Sequence, residues 1–166
     1  MATIVEVLVA LILTTTAFPA GGSIPAKFTC DGADVSPALA WAGTPAHTAA
    51  FALIADDPDA PAGTWVHWVV FNLPGTLAAL PEDVPKTEQL AEFGGALQGK
   101  NDFKRIGYGG PCPPPGRPHR YYFKLYALDA ALSLKAGAAK RDVERAMRGH
   151  VLGESSLMGT YARQRR

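Results

Sequence analysis

The sequence predicts a single-domain, mostly β protein with a little peripheral helix, and three observations carry that prediction. Short apolar segments rich in Val, Ile, Thr and aromatic residues recur along the chain, separated by Pro and Gly. Only one segment shows helical spacing of its apolar residues. No internal repeat or shift of composition marks a second domain, and 166 residues suffice for one substantial core.

The strands expected, in order, are Val7–Thr16, Ala38–Trp41, Ala49–Ala55, Trp65–Asn72, Arg120–Asp129 and a short last one at Leu157–Tyr161. Val7–Leu13 (VLVALIL) has the apolarity of a secretory leader. However, no Lys or Arg precedes it, Glu6 interrupts it, and it is too short to span a membrane. Its β-branched content suits a strand, so residues 1–16 read as an added strand in a cytoplasmic protein; the alternative is export, with this stretch as the signal. The helix is expected over Ala138–Gly149, where Ala139, Val143, Ala146 and Met147 recur among charged residues, ended by Gly149 or Gly153. Gly75–Arg105 has few apolar runs and reads as a long surface excursion. Such elements make a β-sandwich or barrel-like core with α decoration.

Charge excludes some functions. The formal net charge is +1, so no strong field points to nucleic acid or to an anionic membrane. The two cysteines, Cys30 and Cys112, form no disulfide framework and no metal-type spacing, and read as reduced, half-buried thiols. A bridge would need their Cα atoms within about 7 Å.

Of the 14 prolines and 17 glycines, 12 crowd into the two short stretches Asp56–Gly63 and Gly107–Pro118. Such clusters build stiff irregular loops, and binding sites tend to sit on loops carried by a rigid scaffold. Side chains alternate faces along a strand. That parity groups Phe51, Leu53 and Ala55 with Asp57; Trp65 and His67 with Val69 and Phe71; and His119 and Tyr121 with Phe123 and Leu125. Three apolar faces thus each end in a polar group. Singly, each has a plain structural explanation: a hydrogen-bonded core His, an Asp capping a turn, a Tyr at the rim.

The loops add specificity. Asp56-Asp57-Pro58-Asp59-Ala60-Pro61 precedes Thr64-Trp65-Val66-His67-Trp68, and GYGGPCPPPG at Gly107–Gly116 leads into Pro118-His119-Arg120-Tyr121. With Phe28-Thr29-Cys30-Asp31-Gly32 and Gln98-Gly99-Lys100-Asn101-Asp102-Phe103, the chain from about Ala17 to Arg163 resembles the phosphatidylethanolamine-binding family, in its bacterial and archaeal Raf-kinase-inhibitor-like branch. The resemblance implies an antiparallel β-sandwich with a few peripheral helices and a small pocket for phosphate, a carboxylate or a phospholipid head group. Carried over by motif, the pocket comprises Asp57, His67, Gly110, Pro111, His119 and Tyr121, flanked by Asp59, Pro61 and Trp65. No cofactor or metal is implied.

Two imidazoles and a Tyr hydroxyl suit an anion, and a Gly110 N–H would add a donor. Asp57 would repel an anion unless it pairs with a histidine. The function expected is a regulatory or ligand-sensing module for a small anionic ligand. The alternative is an enzyme using the Asp/His/His pocket for hydrolysis or metal-assisted chemistry. A homodimer is carried over weakly, an unknown protein partner is allowed, and neither nucleic acid nor stable membrane insertion is expected.

Overall fold

The computed structural model describes residues 9–164. Among the described residues, nine strands form two antiparallel sheets. The smaller contains β1 (Ile12–Thr14), β2 (Leu39–Ala42) and β5 (Ala79–Leu80), in the order β1-β2-β5. The larger contains β3 (Ala50–Asp57), β4 (Trp65–Pro74), β6 (Gln89–Leu90), β7 (Ala96–Gln98), β8 (His119–Leu128) and β9 (Val151–Tyr161). Its order is β6-β7-β4-β3-β8-β9. One α-helix, α1 (Lys140–Met147), lies on the outer face of the larger sheet.

Sequence pattern explains these layers. Phe51, Leu53, Phe123 and Leu125 join Leu13, Leu39 and Trp41 in the core between the sheets. The opposite parity, Ala52 and Ile54, packs with Val143 and Met147 of α1 and with Leu132. β3 is therefore buried on both faces at every position, as its unbroken apolar run AFALIA requires. Asp56, on that outer face and almost wholly buried, receives Lys124 Nζ at 3.1 Å and Lys140 Nζ at 2.7 Å, which ties α1 to the sheet. The helix starts where Asp142 Oδ2 accepts the Ala139 N–H and ends before Gly149, whose φ of 80° is costly for other residues.

β4 departs from simple alternation. Its pairing with β3 slips by one residue twice: Ala55 faces Trp68 while Asp56 faces Val66, and Phe51 faces Leu73 while Leu53 faces Val70. His67 is the unpaired residue of the first bulge. Asn72, at φ 59°, belongs to the second, where its side chain both donates to and accepts from the Leu132 backbone. Each bulge switches the faces. Val66, Val69 and Phe71 pack toward α1, whereas Trp68, Val70 and Leu73 enter the core between the sheets. The parity that grouped His67 with Val69 and Phe71 is thereby corrected.

Other departures are smaller. The expected first strand is short, Ile12–Thr14, and its segment before Val9 lies outside the described residues. The last strand begins six residues earlier than expected, at Val151. The Gly75–Arg105 excursion carries β5, β6 and β7, which extend both sheets. Cys30 and Cys112 are not free thiols: they are joined, with Cα atoms 5.4 Å apart. No described helix is long and apolar enough to cross a membrane.

Candidate functional site

Adjacent strands β4, β3 and β8 bring His67, Asp57 and His119 to one end of the larger sheet. There these three and Tyr121 line a cleft of about 200 Å³, closed on its apolar side by Trp65 and Phe103. Its rim consists of Ala60 and Pro61 on one side and Cys112, Pro113 and Pro114 on the other.

Asp57 ends β3 and is 3% exposed. Its Oδ1 accepts the Asp59 N–H at 2.7 Å, closing the turn that the DPDAP sequence encodes. Its Oδ2 accepts from His119 Nδ1, also at 2.7 Å. A carboxylate so placed fixes the tautomer of the ring and compensates charge on the imidazolium. His119 Nε2 is then the nitrogen left for the cleft.

His67 is held differently. Its Nδ1 donates to the Gly109 carbonyl oxygen at 2.6 Å, and the Gly109 N–H donates to the His67 carbonyl oxygen at 2.9 Å. The ring meets Phe103 and Tyr121 edge-on, at centroid separations of 5.4 and 5.3 Å. Burial lowers its pKa below the ordinary 6.5, against the opposing pull of the Gly109 carbonyl and of Asp57. The ring is neutral near pH 7, and Nε2 again remains for the cleft.

Tyr121 stacks on His119 with rings 6.4 Å apart. Burial raises its pKa, and the Asp57 charge adds to the rise, so the phenol keeps its proton. The Tyr121 hydroxyl and the Trp65 indole N–H are two of three buried side-chain polar atoms, among the described residues, without a well-formed hydrogen bond. The third, Trp41 Nε1, lies in the core. Buried donors are ordinarily paired, so two of these three exceptions falling at one cleft marks it out.

The remaining expected residues have other places. Asp59 lies beside the cleft wall and latches Arg120: its carboxylate accepts from Arg120 Nε and Nη2 and from the Arg120 backbone N–H, at 2.8–2.9 Å. This two-pronged contact holds its pKa down at about 2. Gly110 and Pro111 stand behind the cleft instead of lining it. The Gly110 N–H, expected to serve a ligand, donates to Asp34 Oδ1 at 2.7 Å. A Cβ at Gly110 would lie 2.2 Å from the Phe28 carbonyl oxygen, so glycine there permits loop-on-loop packing. Pro111 accepts from the Cys30 N–H, beside the disulfide.

Phe103, the disulfide and the prolines after it are the parts that motif reading did not assign. Phe103 is placed by Asn101, whose side chain donates to the Gly107 carbonyl and accepts from the Arg105 N–H. An aromatic residue after Asn101-Asp102 in an otherwise polar excursion was the available signal. Among the described residues no three His, Cys, Asp or Glu side chains are grouped to hold a metal ion.

Sheet order, layering and cleft together define a two-sheet antiparallel β protein with one small, histidine-lined binding cleft. The family model for phosphatidylethanolamine-binding proteins matches residues 14–162, and the chain belongs to that family, a ligand-binding fold. It is 52% identical over 151 residues to a UPF0098 protein of Methanothermobacter thermautotrophicus, covering 91% of this chain and 98% of the relative. A UPF0098 protein of Aquifex aeolicus is 49% identical over 148 residues, covering 88% of this chain and 85% of its own. Among solved structures, a phosphatidylethanolamine-binding-protein homologue from Chlamydia trachomatis superposes with a TM-score of 0.85 at 40% identity, covering 94% of this chain and 99% of that one. Escherichia coli YbcL, described as a member of the mammalian family, gives 0.86 at 31% identity, covering 93% and 99%.

Proposed function

We propose that this protein binds a small anion, a phosphate, a carboxylate or a phosphorylated head group, in the cleft between His67 and His119, and serves as a ligand-sensing or regulatory module. One observation carries the reading: each imidazole has its Nδ1 anchored to the protein and its Nε2 left for the same cleft. Asp57 carries the only carboxylate among the lining residues, and its partner His119 offsets that charge once protonated.

Size supports a small ligand. Sites for drug-sized molecules run to about 300–1,000 Å³, and this cleft offers about 200 Å³. It takes a head group and not a lipid tail. The proline-rich rim and strand-borne histidines hold the cleft ready, so little ordering opposes binding. Homodimer formation, which rests on family resemblance, and cytoplasmic residence, which rests on reading residues 1–16 as a strand and not a secretory signal, remain part of the proposal.

Titration with inorganic phosphate and with O-phosphorylethanolamine, followed by calorimetry or NMR, tests the reading against a His119→Ala control. Saturable binding that the substitution abolishes is the expected result. Binding indifferent to His119, or none, overturns it.

A further inference from the structure

Two aromatic rings line the cleft without serving the core. Trp65 and Phe103 are half-buried, belong to neither apolar cluster of the fold, and meet edge to face at 5.5 Å. The backbone around Phe103 is built to deliver its ring there. Asn101, 3% exposed, holds the turn through the Gly107 carbonyl and the Arg105 N–H. Asp102 then clips to Val66, the residue between Trp65 and His67: its Oδ2 accepts the Val66 N–H at 2.7 Å, and its own N–H donates to the Val66 carbonyl at 2.9 Å. A Cβ on Gly109 would stand 2.6 Å from Phe103 Cδ2, so glycine at that position clears room for the ring.

With Pro61, Pro113 and Pro114 of the rim, the two rings give the cleft an apolar portion beside its histidines. Inorganic phosphate or acetate has little apolar surface to set against them and would leave that portion wetted. A hydrocarbon group carried by the anion would displace this water, which is favourable in proportion to the apolar area removed from it.

We infer that Trp65 and Phe103 form an apolar subsite, and that the cleft prefers an oxyanion bearing a short hydrocarbon group, an alkyl phosphate or an alkyl carboxylate, with Phe103 setting the preference. Selection acts on the substituent and not on the charged end, so phosphates and carboxylates are both accepted and the bare anions bind more weakly. A cleft of about 200 Å³ keeps the substituent short. The inference rests on the reading of the cleft as an anion site. It does not depend on the charge of either imidazole, so the preference should be the same at pH 6 and pH 8.

The experiment is calorimetry on the wild-type protein with methyl phosphate, propyl phosphate, acetate and butyrate. Each pair shares its charged end and differs by two methylenes, and burial of one methylene is worth about fourfold in affinity. The longer member of each pair should therefore bind at least about tenfold more tightly. A ratio below about threefold in either pair would overturn the inference while leaving the anion cleft standing. Failure of all four to bind would remove the cleft reading and the inference with it. In Phe103→Ala, shown to be folded by circular dichroism, both ratios should shrink to about threefold or less. Phe103→Leu, which keeps an apolar side chain, should restore most of each ratio. Because Phe103 also packs edge-on against His67, its truncation lowers all four affinities together, and the ratio within each pair is what reads the subsite. Unchanged ratios in folded Phe103→Ala would overturn the role of Phe103.

Discussion

His67 and Gly109 are joined by two hydrogen bonds, one from the imidazole Nδ1 to the Gly109 carbonyl oxygen and one from the Gly109 N–H to the His67 carbonyl oxygen. The bulge in β4 makes this possible. An unpaired strand residue has its backbone free for the Gly107–Pro118 loop and its side chain turned to the cleft.

Truncating that histidine should therefore destabilise the fold as well as empty the site. His67→Ala leaves the Gly109 carbonyl without its partner, and a loss of about 1–3 kcal/mol is expected by urea denaturation at pH 7.5.

Acid should reveal the same residue. Because the folded pKa of His67 is lowered, the unfolded chain takes up its proton first as pH falls below 6.5. Stability due to the neutral ring is full above that value and declines as pH drops toward the folded pKa. Denaturation midpoints measured from pH 7.5 to 5 should fall for the wild type and fall less steeply for His67→Gln.

The latch between Asp59 and Arg120 titrates in another window. With Asp59 held at about 2, its contribution is complete above the ordinary 3.8 and disappears as pH falls toward 2. Asp59→Asn should flatten the acid limb of the stability profile between pH 4 and 2 and leave the limb between 7.5 and 5 unchanged.

Asp56 offers a control on the far face of β3. Asp56→Ala removes the carboxylate buried beneath Lys124 and Lys140, and should lower stability by about 3 kcal/mol. Phosphate affinity, set on the opposite face, should stay within about twofold, as read by calorimetry on the folded variant.

The disulfide joins positions 82 residues apart. Closing so long a loop restricts the unfolded chain by about 4.5 kcal/mol in the chain-entropy model. Denaturation with and without dithiothreitol should show a loss approaching that figure. Because Cys112 lines the cleft beside Pro113 and Pro114, phosphate affinity should also fall in the reduced protein.

The sequence made some of this plain and hid the rest for definite reasons. Strict alternation in β8 correctly grouped Tyr121, Phe123 and Leu125, because that strand pairs with β3 in unbroken register. The same rule failed in β4, because two one-residue bulges reverse the faces and no local signal announces them beyond Asn72 at positive φ. The structure gathers Asp57, His67, His119, Tyr121, Trp65 and Pro61 around one cleft, while Gly110 and Pro111 are drawn behind it by partners far away in sequence. Asp34 is 76 residues from Gly110, and Cys30 lies 82 from Cys112, and spacing alone conveys neither contact.

The bulge at His67 has a consequence for how such a chain can change over generations. Substitution at this position alters what the cleft offers, but the surrounding strand keeps its faces. Deleting Val66 or His67 would instead restore plain alternation and return what is left of the segment to ordinary pairing with β3. The imidazole would then be lost from the cleft or carried to the wrong side of the sheet. In this strand a lineage can vary the letters far more freely than it can vary their number.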